Sequence, residues 1–216
     1  LLVCLGAGLA IALVLANRHK AGKAAPVNTS ADSLSALLAD INSDLFNADL
    51  AARAIDENGA NTVAPEMIKA LKDKSAITRM NAAEVLGRMG LEAREAIPAL
   101  IYSLGNDTYP LTRKSAARAL GRIGPDSREV FTALNGALSS DELYIRAVAV
   151  EALGEMGPGA KDAVPALIGM LNIKEERIWQ KTMKALGDIG PDSRTAVPAL
   201  FKAFKEDIGT EAAQGA

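Results

Sequence analysis

The first sixteen residues, LLVCLGAGLAIALVLA, form an unbroken apolar run that stops at Asn17, Arg18, His19 and Lys20. At ~1.5 Å per residue a helix of this length covers ~24 Å, somewhat less than a ~30 Å hydrocarbon core. We therefore expect residues 1–16 to be a transmembrane anchor or signal segment. The basic cluster after the run and the lack of a clean A-x-A site favour the anchor, and an opening Leu in place of Met implies residues upstream. A cleaved signal peptide and a lipidated Cys4 are the alternatives. Arg18, Lys20 and Lys23 favour a cytoplasmic following domain, but lost upstream charge leaves the side of the membrane open. Residues 17–31, NRHKAGKAAPVNTSA, are small and polar around Pro26 and read as a flexible linker.

Beyond residue 32 the pattern becomes periodic. The string LG-x-[MI]-G begins at Leu86, Leu120, Leu153 and Leu186, at spacings of 34, 33 and 33 residues. Each copy is followed by AIPAL, VFTAL, AVPAL or AVPAL, and the column Pro98, Thr132, Pro165, Pro198 extends back to Pro65 in a more degenerate unit. Within a unit, Ala82, Val85, Leu86 and Met89 follow helical spacing. Gly90, Gly124, Gly157 and Gly190 then stand where a left-handed helix end is wanted. Asp126, Ser127, Asp192 and Ser193 are suited to cap a second helix. Its apolar stripe reads Ile97, Leu100, Leu104, then Phe131, Leu134, Leu138, then Val164, Leu167, Leu171, then Val197, Leu200, Phe204.

A helix pair of this size cannot bury both faces alone, so successive pairs must stack. The expected fold is all-α: a right-handed α-solenoid of about five helix pairs over residues 32–208, preceded by the apolar transmembrane helix. SLSALLADI from Ser33 is a candidate capping helix, Lys202, Lys205, Glu206 and Asp207 suit a polar C-terminal cap, and residues 209–216 read as a disordered tail. Composition agrees: 41 alanines against eight aromatic residues describe an interior of small side chains packed at close range.

Composition also removes whole classes of chemistry. One cysteine and one histidine, Cys4 and His19, exclude a disulfide framework and the usual metal and triad arrangements. There is no P-loop, GxSxG, HExxH or CxxC string. A net charge of -2, with 24 basic and 26 acidic residues, does not suit general nucleic-acid binding. The reading is not an enzyme, with no cofactor, metal or small-molecule substrate, and with protein partners.

The pattern Asp73-x5-Arg79 and Asp107-x5-Arg113, followed by AAEVLGRMG or AARALGRIG and then PAL, resembles short bacterial HEAT-like repeats of the phycobilisome-lyase type over about residues 44–206. The resemblance implies that Asp73, Arg79, Asp107, Arg113 and Arg146 join successive units, and that second helices line an inner curve where partners bind. In the last unit Trp179 replaces the arginine, as terminal packing or as a partner anchor. Bilin attachment would be the lyase activity, but no residue set here supplies it.

Three further columns carry expectations. Arg53, Glu84, Arg118, Glu151 and Lys184 alternate in sign and predict a charge ladder that sets register between units. Arg94, Arg128, Lys161 and Arg194 lie at the starts of second helices, as an anion-attracting stripe or a solvated face beside Glu92, Glu95 and Asp162. On the expected inner curve, Lys69, Tyr102, Gly136, Gly169 and Lys202 form one column, with Met170 in the next. They offer a helix or peptide a close approach, or they serve packing between second helices. The expected function is a noncatalytic, membrane-tethered protein-binding scaffold. An accessory subunit of a larger membrane or surface complex and a chromophore-handling protein are the alternatives.

Overall fold

The computed structural model describes residues 29–43, 46–173 and 175–214, so the apolar segment 1–16 and most of the expected linker lie outside the described residues. Among the described residues there are helices and no strand. They are α1 (Thr29–Asp40), α2 (Ala48–Asn58), α3 (Ala60–Ala70), α4 (Ala76–Met89), α5 (Ile97–Asn106), α6 (Pro110–Ile123), α7 (Arg128–Ala137), α8 (Leu143–Glu155), α9 (Val164–Met170), α10 (Glu176–Ile189) and α11 (Val197–Gln214). No helix among the described residues is long and apolar enough to cross a membrane.

From α4 onward the first helices stack in one row, α4 on α6, α6 on α8 and α8 on α10, and each second helix packs on the next first helix. Leu86, Leu120, Leu153 and Leu186 occupy equivalent places and are all buried. The row is held close by small residues. A Cβ at Gly87 would stand 3.0 Å from the Ala119 Cα, one at Gly121 would stand 2.9 Å from the Ala152 carbonyl oxygen, and one at Gly154 would stand 2.9 Å from the Ala185 Cα. Those distances are below ordinary contact, so the spacing of α4, α6, α8 and α10 depends on glycine facing alanine at each of the three junctions.

The unit boundaries differ in detail from the sequence reading. Gly90, Gly157 and Gly190 do take positive φ, at 58°, 58° and 81°, and each opens a 3₁₀ segment that leads straight into the second helix. Gly124 does not: its φ is -130°, and Ser127 caps α7 through its Oγ, which accepts the Val130 N–H at 3.3 Å. The reason is local, since a hydroxyl cap at Ser127 starts α7 without the 3₁₀ turn. Ser193 does not cap in this way, because its Oγ donates to the Gly190 carbonyl.

Both ends of the array also show more helix than the pattern indicated. The helix α1 begins at Thr29, inside the stretch read as a linker, and covers α2 with Leu37 and Ile41 buried. It is tied to the array by Asn81, whose amide donates to the Ile41 and Ser43 carbonyls, and by Thr78, whose hydroxyl donates to Asn42 Oδ1. At the other end α11 runs through Gln214, across most of the segment expected to be disordered, where Glu211, Ala212, Ala213 and Gln214 are good helix formers.

Candidate interaction groove

Along the second helices a groove of about 880 Å³ opens between the end of α3 and α5. Ile68, Leu71 and Lys72 form one wall, and Pro98, Ala99, Tyr102 and Asn106 form the other. The spacing of Pro98, Ala99, Tyr102 and Asn106 puts them on one face of α5. Tyr102 is 70% exposed, an unusual position for a large ring, while the adjacent Ser103 is buried. Sequence reasoning singled out Tyr102 but missed Ile68, Pro98 and Asn106, although positions three and four residues from Tyr102 would have identified its neighbours on α5.

One end of the groove is closed by a part-buried ion pair. Arg79 Nε and Nη2 donate to the two Asp107 carboxylate oxygens at 2.6 and 2.8 Å, joining one unit to the next, while Nη1 donates to the Asp73 and Lys74 carbonyls. Burial pushes the Asp107 carboxyl up, but the Arg79 guanidinium, the Tyr109 N–H and the nearby Arg113 charge outweigh it and hold it below the usual carboxylate range. The Asp73 carboxylate does not meet the arginine. It accepts the Ser75 N–H at 2.7 Å. Arg113 repeats the inter-unit contact by pairing with Glu142 at 2.6 Å, and Arg146 donates to the Ser140 carbonyl within its own unit. Trp179, in the same column, is half-buried against the core.

The remaining members of the expected column are dispersed. Lys69 is strongly exposed beside Glu66, Lys202 is exposed on α11, and Met170 is half-buried against the core. A Cβ at Gly136 or Gly169 would meet nothing within 4 Å, so neither glycine is required by packing between second helices. Arg94, Arg128, Lys161 and Arg194 are all exposed; Arg128 lies 3.8 Å from Asp162, and Arg194 donates to the Pro191 carbonyl.

The charge ladder is present as a diagonal network and not as the straight column expected. Only Arg118 and Glu151 pair directly along that column, at 3.5 Å. Glu84 is met by Arg122 at 4.0 Å, and Arg122 continues to Glu155 at 3.7 Å. Glu151 also accepts a hydrogen bond from Lys181, one turn before Lys184. Arg53 and Lys184 leave the ladder altogether and pair within their own helices, with Glu57 and Asp188. Long basic side chains lean along the helix, so they reach a carboxylate one turn away as easily as one alongside. Burial pushes Glu151 up, but Lys181, Arg118 and Lys114 outweigh it and hold its carboxyl below the ordinary value, whereas burial raises Glu155. Changing Glu151 to Gln is expected to cost about 1 kcal/mol in urea denaturation, because it breaks contacts to two neighbouring units at once.

Among the described residues no group of three or more His, Cys, Asp or Glu side chains is placed to hold a metal ion. What the geometry defines is a helical repeat solenoid with an open groove along its second helices. The chain belongs to the HEAT repeat family, whose pattern matches residues 31–121, 90–154 and 132–216. The match is to HEAT repeats in general and supports neither the lyase type nor a membrane anchor. Among solved structures, a designed armadillo repeat protein in complex with the peptide (KR)4 is 17% identical, with 73% of this chain and 74% of that chain covered and a TM-score of 0.53. An engineered protein from a structural genomics consortium is 20% identical over 86% of this chain and 84% of that chain, with a TM-score of 0.49. No curated protein matches the chain.

Proposed function

We propose that the chain is a noncatalytic protein-binding scaffold that takes a helix or extended peptide in the groove beside Tyr102, held near a bilayer by residues 1–16. The observation that carries this reading is the 70% exposed Tyr102 ring on the wall of an 880 Å³ groove whose end is closed by the Arg79–Asp107 pair. An exposed aromatic ring on a groove wall gives a partner contact area at little entropic cost. The armadillo neighbour bound to a peptide supports the reading by likeness of fold alone. A photo-reactive phenylalanine analogue at position 102, used in native membranes with mass spectrometry, is expected to capture a defined partner segment. The same analogue at Arg94 should capture it far less. A footprint confined to residues 17–31 would remove the groove from the proposal.

The reading as an accessory subunit draws support from a different place. Val197, Phe201 and Phe204 are all more than half exposed on α11, a surface that a permanent assembly would cover.

A further inference from the structure

Ser103 puts a hydroxyl where the repeat does not call for one. The same column holds Ala70, Ala137, Met170 and Ala203. The side chain lines the groove, yet the residue is only 3% exposed. Thr132 and Thr182, also inside helices, satisfy their hydroxyls on the carbonyl one turn back, donating to Arg128 and Ile178 at 2.8 and 2.7 Å. Ser103 makes no such bond, and its hydroxyl has no hydrogen-bond partner among the described residues. It is not sealed in the core either, so it opens on the groove. A hydroxyl so far out of solvent costs free energy until a polar group pairs with it, and the groove is where that group can arrive.

The surrounding charges decide what that group belongs to. The helices α5 and α9 contain no charged residue, and on α7 charge is confined to Arg128 and Glu129 in the first turn. The exposed positions Pro98, Tyr102, Thr132, Gly136, Pro165 and Gly169 are thus uncharged in a chain that is 23% charged. Within the groove Arg79 and Asp107 neutralise each other, and Lys72, Asp73 and Glu95 stand exposed on the rim. A charged segment lying over Ser103 would leave water and gain no counter-charge. A helix would fit the apolar wall of Ile68, Leu71 and Pro98, but its main chain is already hydrogen-bonded and it brings only side chains to Ser103. An extended segment brings an unpaired N–H and C=O at every residue. Next to Ser103 it also meets Asn106, whose amide nitrogen donates to the Tyr102 carbonyl and whose Oδ1 remains as an acceptor.

We propose that the groove takes its partner as an extended, uncharged segment with one main-chain amide group seated on the Ser103 hydroxyl. This rests on the reading of the groove as a docking site for a protein segment, and adds the segment's conformation and charge. The helix α5 has 10 residues and is about 15 Å long, so the groove holds about four or five extended residues. Tyr102 supplies the contact area beside them. Selectivity follows from the hydroxyl, because a segment that covers Ser103 without offering it a polar group strands it away from water.

The test presents the full chain with immobilised peptide pools of about ten residues, long enough to overrun the groove at both ends. One pool is randomised over Thr, Val, Asn, Ser and Pro, a second adds Lys, a third adds Glu, and a fourth is a neutral pool held helical by a hydrocarbon staple. The native chain is expected to retain the neutral extended pool best, and Ser103→Ala should weaken that retention at least ~10-fold. Ser103→Ala should not lower the melting temperature, because its column already holds alanine and the hydroxyl has no partner to lose. A fall of more than about 4 °C would show the hydroxyl bonded inside the array and overturn the proposal. Preference for the stapled or a charged pool overturns it too, as does neutral-pool binding that Ser103→Ala leaves unchanged, and in these cases the groove remains a docking site. Retention of no pool, or equal retention by the native chain and Tyr102→Ala, removes the groove reading and this inference together.

Discussion

Gly121→Leu is expected to destabilise the array by about 3 kcal/mol or more. A Cβ at this position would lie 2.9 Å from the Ala152 carbonyl oxygen and 3.1 Å from its Cα. Both are backbone atoms of α8, so no side chain can rotate away, and α6 and α8 must separate. Even Gly121→Ala should lose about 1 kcal/mol, although alanine is the better helix former by a similar amount. The same substitution at Gly187, at the same place in its unit, should gain about 0.5–1 kcal/mol in dilute protein, because its Cβ enters open space. Thermal melts of the three variants decide the matter, since about 3 kcal/mol corresponds to a fall of about 6–12 °C in a fold of this size. Stability in a solenoid is summed over neighbouring interfaces, so Gly121→Leu should also split the melt, with α8 to α11 lost first. Equal responses at Gly121 and Gly187 would mean that glycine in this column serves helix geometry and not close approach.

The period that defines the fold was readable because each unit repeats the same burial problem. Leu86, Leu120, Leu153 and Leu186 solve it identically, and the helices fall where their spacing placed them. What the period could not show is how neighbouring helices slide. A column in an alignment is straight, whereas Arg122 and Lys181 reach carboxylates a turn away, so the alternation of Arg53, Glu84, Arg118, Glu151 and Lys184 identified the charged face but not its pairs. The groove was only half legible for a related reason. Tyr102 was conspicuous as a ring in a row of small residues, but its opposite wall is built from Ile68 and Leu71 of the preceding unit, whose apolar character looks like core in any linear reading. The last unit was hidden most completely. Phe204 continues the apolar column of Leu104, Leu138 and Leu171 and reads as buried, yet it is 55% exposed on α11.

Removing Asp107 is the second large loss. In Asp107→Ala the Arg79 guanidinium, only 14% exposed, keeps its charge without the carboxylate that accepts two of its N–H groups, and the Tyr109 N–H loses its acceptor. An uncompensated charge in this setting costs about 3–4 kcal/mol, far more than a surface pair. Arg79→Met/Asp107→Leu should recover part of that, because it removes the uncompensated charge although the Tyr109 N–H stays without its acceptor, and a double-mutant cycle should return a coupling of about 2 kcal/mol. The same pair makes a statement about pH. The folded Asp107 carboxyl titrates below its unfolded value, so the pair stabilises fully above the unfolded carboxylate value of about 4 and less as pH falls through the folded value. Arg79 stays protonated throughout and adds no slope in that range. The gap in unfolding free energy between the native chain and Asp107→Asn should therefore be constant from pH 7 to pH 5 and shrink toward pH 3, read from urea titrations at each pH. A gap that does not change down to pH 3 would show that the carboxylate's charge is not what holds the two units together.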